Sequence, residues 1–452
     1  MKARQHVSEF ESITPWRLLV KLSVPSLVTT MIMLIYNLAD VFFIGQTGDS
    51  MMVAAVSLCS PVFSLLSGLG MLFGNGGCIR VATLLGENDR DHAAGVSAFC
   101  CWGTVTLGTV MSVSFWQLKE PLLTLLGASQ DTWHYAQEYL EVMVLGIPLM
   151  MFSQAMSSVL RADGQAQKPM YGNILGSVTN IILDPIFILL LGWGVKGAAV
   201  ATIVANGVNC LWLIGLMREK EQVFSADPRH IRWKWSFTGK VLMLGLPMAV
   251  NTLLTSFSGV INNQFLLGYG DVVLAANGVS SKLRMIISMT AMGICIGIQP
   301  AISYYTGAKK KQQLHAILRV TAITTTSVGV LFAAALYVFR DGVIAFFIDD
   351  VAVITYGGQM VLASMLGAPF QGAYQLSASY LQGTGSVTQA TSLAIIRQLL
   401  HIPLMIAGNA LLGFLGLIYS NAMTTVLCAI LGVVLCLIRS RQFEKRMTVQ
   451  KA

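Results

Sequence analysis

Long runs of apolar residues, separated by short polar stretches, follow one another along the chain. Met51–Ile79 contains no charged residue, and Leu393–Gly416 contains only Arg397 and His401 as basic groups. Each run reaches the roughly 20 apolar residues that a helix needs to cross a hydrocarbon core of about 30 Å. In that core only helices and closed barrels satisfy their backbone groups, and barrel strands alternate polar and apolar residues. The runs therefore predict membrane-spanning helices.

The pattern predicts twelve spans joined by short loops, and hence an all-α integral membrane protein. Their approximate limits are 18–45, 51–79, 92–116, 136–160, 170–191, 195–217, 240–267, 272–305, 315–338, 355–380, 391–411 and 414–438. Because the number of crossings is even, both termini lie on the same side of the membrane.

Composition and charge agree with this interpretation. Hydrophobic residues make up 55% of the chain and charged residues 11%, whereas a soluble domain usually carries about 25% charged residues. Of the 29 Lys and Arg, 23 lie at the two ends and in the even-numbered loops, but only three lie in the odd-numbered loops. By the positive-inside rule both termini are cytoplasmic. The net charge of +8 therefore reflects topology and anionic lipid, and we expect no nucleic-acid partner.

The two halves of the chain resemble each other at a spacing of about 221 residues. The motif at Leu145–Pro148 recurs at Leu366–Pro369. Further pairs at nearly the same offset are Pro25 and Pro247, Phe43 and Phe265, Gly70 and Gly293, and Gln154 and Gln375. Six spans per repeat give both halves one orientation, an arrangement that is typical of alternating-access transporters. We predict two six-helix lobes, 1–217 and 241–452, joined by a cytoplasmic linker, 218–240.

Two carboxylates fall within the spans of the first lobe, where charged groups are costly and usually functional. Asp40 lies near the end of span one, and Asp184, followed by Pro185, lies in span five. Polar faces at helical spacing surround them: Met33, Asn37 and Asp40 on span one; Asn173, Ser177, Asn180 and Asp184 on span five; and Thr202, Asn206 and Asn209 on span six. The carboxylates must bind protons, a cation or water, and these hard oxygen donors suit Na⁺ or H⁺. The neutral residues could instead only hydrogen-bond helices together.

The second lobe has a different set of polar residues. Span seven carries a neutral stripe of Asn251, Thr255, Ser258 and Asn262. The charged groups within its spans are basic: Lys282, Arg284 and Arg397, with His401 nearby. Two interpretations stay open for them, namely snorkelling or bonding to helix carbonyls, and a role in gating the cleft.

Several segments together resemble the multidrug and toxic compound extrusion (MATE) family over nearly the whole chain. They are Ala39–Gly45, Gly68–Gly86, Arg161–Pro169, the sequence NIILDPIFI at Asn180–Ile188, and Gly194–Thr202. The resemblance is closest to the bacterial branch whose cation site lies in the first lobe. It implies a V-shaped two-lobe fold that exports cationic, amphipathic compounds, including antibiotics and other xenobiotics, by antiport with Na⁺ or H⁺.

The resemblance also implies the site residues. The coupling ion would use Asp40, Asn180, Asp184 and Thr202, where Na⁺ could bind, with Tyr139 at the start of span four. Candidate substrate contacts are Met33, Asn37, Gln154, Ser177, Asn206 and Gln375. Another branch of the family uses acidic residues on spans seven and ten, but this chain carries Thr255 and Ser377 there.

Two other functions compete with this prediction. A lipid-linked oligosaccharide flippase of related architecture would use Lys282, Arg284 and Arg397 for pyrophosphate. A membrane-embedded enzyme is disfavoured because the sequence contains no HExxH, DDxxD, GxSxG or P-loop motif. We therefore expect a monomeric transporter of the bacterial inner (plasma) membrane that is not an enzyme and has no cofactor besides its coupling ion.

Overall fold

A computed structural model describes residues 13–218, 224–231, 235–347 and 351–449, and this part of the chain contains no β-strand. Twelve long helices follow one another: α1 Pro15–Gly45, α2 Ser50–Gly86, α3 Arg90–Gln117, α4 Gln130–Val159, α5 Gln167–Asp184, α6 Gly194–Met217, α7 Trp235–Leu267, α8 Asp271–Gly307, α9 Lys311–Phe347, α10 Val351–Gly383, α11 Val387–Leu412 and α12 Phe414–Val449. A short helix, Lys119–Leu126, joins α3 to α4. Each long helix contains a stretch that is long and apolar enough to span a membrane, so the twelve predicted spans are confirmed.

Several helices extend beyond the apolar runs that predicted them, and side-chain caps mark some of their ends. At the start of α2, Asp49 accepts a hydrogen bond from the Met51 backbone N–H at 2.8 Å. The Tyr135 hydroxyl of α4 donates to the second carboxylate oxygen of Asp49 at 2.7 Å. These hydrogen bonds, that from Tyr135 most of all, hold the pKa of Asp49 below its usual value. The loop between α1 and α2 is thereby fixed to the N-terminal part of α4.

The helices form two compact units. The first unit contains the described parts of Met1–Ile13 and Val28–Thr252, with Gly307–Lys309. The second unit contains Thr14–Leu27, Leu253–Thr306 and the described part of Lys310–Ala452. The units are defined by packing and not by chain order, so the lobe boundaries predicted from the sequence stay a prediction.

Helix α4 is the centre of the first unit, where it packs against α2, α3 and α6. Its core is aliphatic and includes Leu66 of α2, Leu140 and Ile147 of α4, and Ala198 of α6. The approach of α3 to α4 is close, since a Cβ atom placed on Gly108 would lie 2.8 Å from the Cα of Pro148. A larger residue at Gly108 would force these helices apart.

Helix α10 occupies the equivalent position in the second unit, where it packs against α9, α11 and α12. A Cβ atom placed on Gly329 of α9 would lie 2.9 Å from the Cα of Pro369 of α10. Both members of this pair stand 221 residues after Gly108 and Pro148. The repeat that was predicted from the sequence is therefore present in the packing, with one close α-helical contact reproduced in each unit.

The described part of the predicted linker packs against α3. Ser225 and Ser97 are joined by two hydrogen bonds, of 2.8 and 3.1 Å, and the Trp102 indole donates to the Ala226 carbonyl at 2.8 Å. Asp227 caps the short 3₁₀-helix Pro228–His230 by accepting a hydrogen bond from the Arg229 N–H. This segment thus rests on the first unit through its backbone.

Candidate functional site

Four residues of α5 recur every fourth position and form one stripe along the helix: Gly172, Gly176, Asn180 and Asp184. A Cβ atom on Gly176 would lie 2.9 Å from the Ala205 carbonyl oxygen of α6. Only small residues allow two helices to approach this closely. The two glycines therefore bring α5 against α6 and place the polar end of the stripe beside Thr202.

Asn180 connects the polar residues of this stripe to α6. Its amide nitrogen donates to Asp184 Oδ1 at 3.2 Å and contacts Thr202 Oγ1 at 3.4 Å. Asn180 and Asp184 are 0% exposed and Thr202 is 2% exposed. A buried carboxylate and a buried amide thus lie together with a single hydrogen bond between them.

Asp184 is also the last residue of α5, because the helix changes its geometry at the next position. Pro185 has no backbone N–H and cannot continue the regular ladder. The chain instead forms a π-helical turn over Pro185–Leu190, closed by a bond from the Leu191 N–H to the Ile186 carbonyl at 2.9 Å. Such turns frequently occur at functional sites in helices. Pro185 therefore marks a change of helix type directly after the carboxylate.

Helix α1 brings the second carboxylate to the same place. Tyr36 lies one turn before Asp40, and its hydroxyl lies against Thr202 and close to both Asp40 and Asp184. Tyr139 of α4 is buried and lies near the same two carboxylates. The structure therefore brings together all five residues that were expected to couple the ion. Tyr36 was missed, although its spacing of four residues from Asp40 on an apolar helix is the signal that could have found it.

Three oxygens in this cluster are buried and have no hydrogen-bond partner among the described residues. They are Asp40 Oδ1, Asn180 Oδ1 and Asp184 Oδ2. Buried polar atoms nearly always have a partner, so three such oxygens in one cluster need an explanation. Two carboxylates and an amide oxygen form a set of hard donors that fits a proton or a small hard cation.

The candidate substrate-contact residues are more dispersed. Asn37 is exposed and donates to the carbonyl of Met33, which is 40% exposed on the same helix. Asn206 likewise donates within its own helix, to the Thr202 carbonyl at 2.9 Å. Three others are partly buried: Gln154, which packs against Gly70, Ser177 of α5, and Gln375, which belongs to the second unit.

A second polar network ties α4, α5 and α6 together farther along the bundle. Asn209 donates to Ser153 at 2.6 Å and to Asn173 at 3.1 Å, and Asn173 donates to Ser157 at 3.3 Å. These contacts favour the purely structural interpretation of Asn173 and Asn209. None of these hydrogen bonds involves a residue of the carboxylate cluster.

The neutral stripe of α7 has a similar structural partner in the second unit. The Gln398 amide of α11 donates to Thr255 at 2.8 Å, and the Ser258 hydroxyl donates to the Gln398 carbonyl oxygen at 2.9 Å. This pairing could not be predicted from the sequence, because Gln398 lies on a helix far along the chain. The stripe therefore fixes α7 to α11.

A family model for MatE matches this chain twice, over residues 25–186 and 247–406. The two matches cover more than half of the chain, one in each repeat. The chain belongs to the MatE family. The resemblance inferred from the motifs is thus confirmed, and the two separate matches agree with the internal repeat.

MatE relatives and solved structures extend this result over the full length. The multidrug export protein MepA of Staphylococcus saprophyticus is 30% identical over 98% of this chain and 97% of its own length. MepA of Staphylococcus aureus strain NCTC 8325 is also 30% identical, over 96% of each chain. A crystal structure of MATE in complex with MaL6 superposes with a TM-score of 0.92 at 22% identity, over 97% of this chain and 99% of that one. An outward-facing multidrug resistance MATE family transporter gives a TM-score of 0.91 at 22% identity, over 97% and 98%. These structures confirm the MatE fold.

Proposed function

We propose that this multi-pass membrane protein is a secondary active transporter that exports cationic, amphipathic organic compounds by antiport with Na⁺ or H⁺. Its membership of the MatE family and its similarity to multidrug export proteins support export. The observation that carries the coupling mechanism is the cluster of three unpartnered oxygens on Asp40, Asn180 and Asp184.

The cluster can hold one cation or proton because its charges need compensation. Two neighbouring carboxylates that are removed from water cannot both stay ionised without a proton or a cation. Asn180 keeps one oxygen of Asp184 occupied, and its own carbonyl oxygen and the second oxygen of Asp184 are both unpartnered among the described residues. Thr202 and Tyr36 add hydroxyl oxygens next to these groups. Asp40 and Asp184 would therefore titrate as a pair and not as two independent acids.

Exchange follows if occupancy of this cluster and substrate binding weaken each other. By thermodynamic reciprocity, if the bound cation lowers the affinity for the substrate, the bound substrate lowers the affinity for the cation by the same factor. Asp40 lies on α1 and Asp184 at the junction of α5 with its π-helical turn, so occupancy would draw two separate helices together. A change in the position of α1 relative to α5 is then the movement that couples the two ligands.

The same proposal sets the location and orientation of the protein. The strong basic asymmetry of the loops supports two cytoplasmic termini in a bacterial plasma membrane. With cytoplasmic termini, α1 and α5 end on the outer side of the membrane. Asp40 and Asp184 lie near those ends, so the carboxylate cluster would lie in the outer half of the bilayer. The coupling ion would reach it from outside and leave toward the cytoplasm.

Transport by the purified protein in proteoliposomes tests the proposal. A Na⁺ gradient and a pH gradient are imposed separately, and the movement of ethidium is followed. Movement against its concentration with either gradient supports antiport, and the effective gradient identifies the ion. Complementation of a flippase-deficient strain without any gradient-driven ethidium transport would favour the flippase function instead.

A further inference from the structure

Two arginines and a histidine converge within the second unit. Arg284 lies on α8 and Arg397 on α11, and His401 follows Arg397 by one helical turn. His401 is buried and lies close enough to both guanidinium groups to experience their charge. Lys282, although near Arg284 in sequence, is exposed and does not belong to this cluster. The name "arginine cluster" is used below for Arg284, Arg397 and His401.

Both guanidinium groups are held by neutral side chains. Arg397 donates to Gln371 Oε1 of α10 at 3.3 Å, and its guanidinium lies 4.1 Å from the centre of the Tyr374 ring. Arg284 donates to Asn277 Oδ1 of its own helix at 3.0 Å. Neither arginine therefore snorkels, and neither is held by helix carbonyls, which were the simpler interpretations of their sequence positions.

The positive charge of the arginine cluster has no acidic partner among the described residues. Within the described part of the chain, neither Arg284 nor Arg397 forms an ion pair with an acidic side chain. Each guanidinium has five N–H donors, and each forms one hydrogen bond here. No nitrogen of either residue is among the fully buried atoms without a partner, so the remaining donors are accessible.

The surrounding residues hold Arg397 in a fixed position. Gln371 accepts from Arg397 and also donates to Ser288 of α8 at 3.0 Å. The ring of Tyr374, on the same helix as Gln371, lies under the Arg397 guanidinium within the distance of a cation–π interaction. Helices α8, α10 and α11 thus all contribute to the placement of one guanidinium. A group that is fixed in advance loses less entropy when it binds a ligand.

We propose that the arginine cluster is a binding site for an oxyanion, either a carboxylate or a phosphate group. A planar guanidinium matches both groups through two parallel hydrogen bonds. Two arginines that share one anion also lose the repulsion that they exert on each other. Charged residues within membrane-spanning helices typically mark a ligand path or pair with another charge, and here that partner is the ligand. The anion is carried by a transported solute, which rests on the proposed export function, or by a lipid headgroup.

Two dyes that differ only at one carboxylate test the solute source. Rhodamine 110 carries a free carboxylate, and rhodamine 123 is its methyl ester. Binding of each dye is measured by fluorescence anisotropy with the full-length protein in phosphatidylcholine nanodiscs. We expect rhodamine 110 to bind at least about tenfold more tightly, the difference expected for a charge-assisted hydrogen bond. Arg397→Gln and Arg284→Gln should each remove this preference while rhodamine 123 still binds.

Nanodiscs of phosphatidylglycerol test the headgroup source. In phosphatidylcholine the choline cation offsets the charge of the headgroup phosphate, whereas phosphatidylglycerol leaves that charge uncompensated. If a lipid headgroup occupies the site, phosphatidylglycerol raises the melting temperature of the wild type above its value in phosphatidylcholine, and neither arginine variant shows the rise. Lys282→Gln is the matched control, because it removes an exposed cation from the helix that carries Arg284. Arg397→Lys keeps the charge and loses the planar fork, and it provides a folded alternative if Arg397→Gln does not purify.

The site is supported if either the dye experiment or the lipid experiment shows a preference for the oxyanion and if this preference requires both arginines. The proposal is overturned if the wild type shows neither the dye preference nor the lipid effect, if the arginine variants retain them, or if Lys282→Gln loses them equally. These measurements use no ion gradient. Gradient-driven export of rhodamine 123 is assayed separately, so a failed anion site and a failed export function give different results.

Discussion

Asn180 donates its amide proton to Asp184 Oδ1 at 3.2 Å, across one turn of α5. This bond fixes the orientation of the Asn180 amide, because the same nitrogen also contacts Thr202. The amide oxygen of Asn180 and the second oxygen of Asp184 are both buried without a partner among the described residues. In the proposed coupling site, Asn180 would thus supply a further oxygen ligand besides those of the carboxylate.

Replacement of Asn180 tests this role. Asn180→Ala should reduce gradient-driven ethidium export by about tenfold or more, since a buried carboxylate without its hydrogen bond costs roughly 1–3 kcal/mol. Thr179→Ala is the control, because the Thr179 hydroxyl only bonds the Leu175 carbonyl of its own helix at 2.7 Å. Initial rates in proteoliposomes measure the effect. Equal rates for Asn180→Ala and the wild type would show that the amide is not part of the site.

The close contact between α5 and α6 gives a second prediction. Gly176→Leu should lower the free energy of unfolding by about 1–3 kcal/mol, because its Cβ atom alone would lie 2.9 Å from the Ala205 carbonyl oxygen. Gly207→Leu on α6 is the control, since nothing lies within 4 Å of a Cβ atom at that position. Thermal unfolding of both variants in detergent provides the comparison. A Gly176→Leu protein as stable as Gly207→Leu would contradict the described packing.

Tyr36 provides a third prediction. Tyr36→Phe keeps the ring and removes the hydroxyl that lies against Thr202 and near both carboxylates. The loss of one hydrogen-bonding oxygen, worth about 1 kcal/mol, should weaken the apparent affinity for the coupling ion about fivefold. The export rate as a function of ion concentration measures that affinity. Tyr135→Phe is a comparison outside the cluster, because its hydroxyl binds Asp49; an equal shift in both variants would remove Tyr36 from the site.

Much of this site could be predicted from the sequence, because helical spacing and the cost of buried charge act locally. A step of four residues places Asn180 and Asp184 on one face of a helix, and a carboxylate within an apolar run requires a ligand. The resemblance to a known family then added Tyr139 and singled out Thr202 from the polar face of span six. The length of each apolar run was likewise enough to predict every span.

The remaining features depend on contacts between helices, which a single sequence does not reveal. Gln398 pairs with Thr255 and Ser258 only because α11 packs against α7 in one register. Tyr36 belongs to the site because α1 turns that face toward α6. Asn173 has the same spacing as the site residues, yet it bonds Ser157 and Asn209 instead. Spacing therefore identified the helix faces but not the partner of each side chain.

The described linker segment 224–231 offers a position for a test of the membrane topology. Ser225 is partly buried and bonded to Ser97, whereas Ala226 is exposed. In a cysteine-free background, Ala226→Cys should react with an impermeant maleimide only after permeabilisation. Asp131→Cys, exposed in the first turn of α4, should react in intact cells. The reverse pattern would contradict cytoplasmic termini and place the carboxylate cluster in the inner half of the membrane.

The choice of a control carboxylate also follows from the structure. Asp49, in the loop between α1 and α2, caps α2 and accepts a hydrogen bond from Tyr135. Its depressed pKa keeps it ionised at neutral pH, so that this cap is lost only in strong acid, as pH falls through the lowered value. Asp49→Asn would therefore test a structural contact. The exposed Asp131 is the better control for loss of a negative charge.

The central claim is that Asp40 and Asp184 couple export to an ion gradient. Asp184→Asn and Asp40→Asn each keep the size of the side chain and remove its charge. The decisive measurement is the initial rate of ethidium movement into or out of proteoliposomes under a measured ion gradient, for both variants and for Asp131→Asn. The account predicts folded variants that still bind ethidium, no gradient-driven movement with either pocket variant, and a wild-type rate with Asp131→Asn. Wild-type rates with both pocket variants would contradict it.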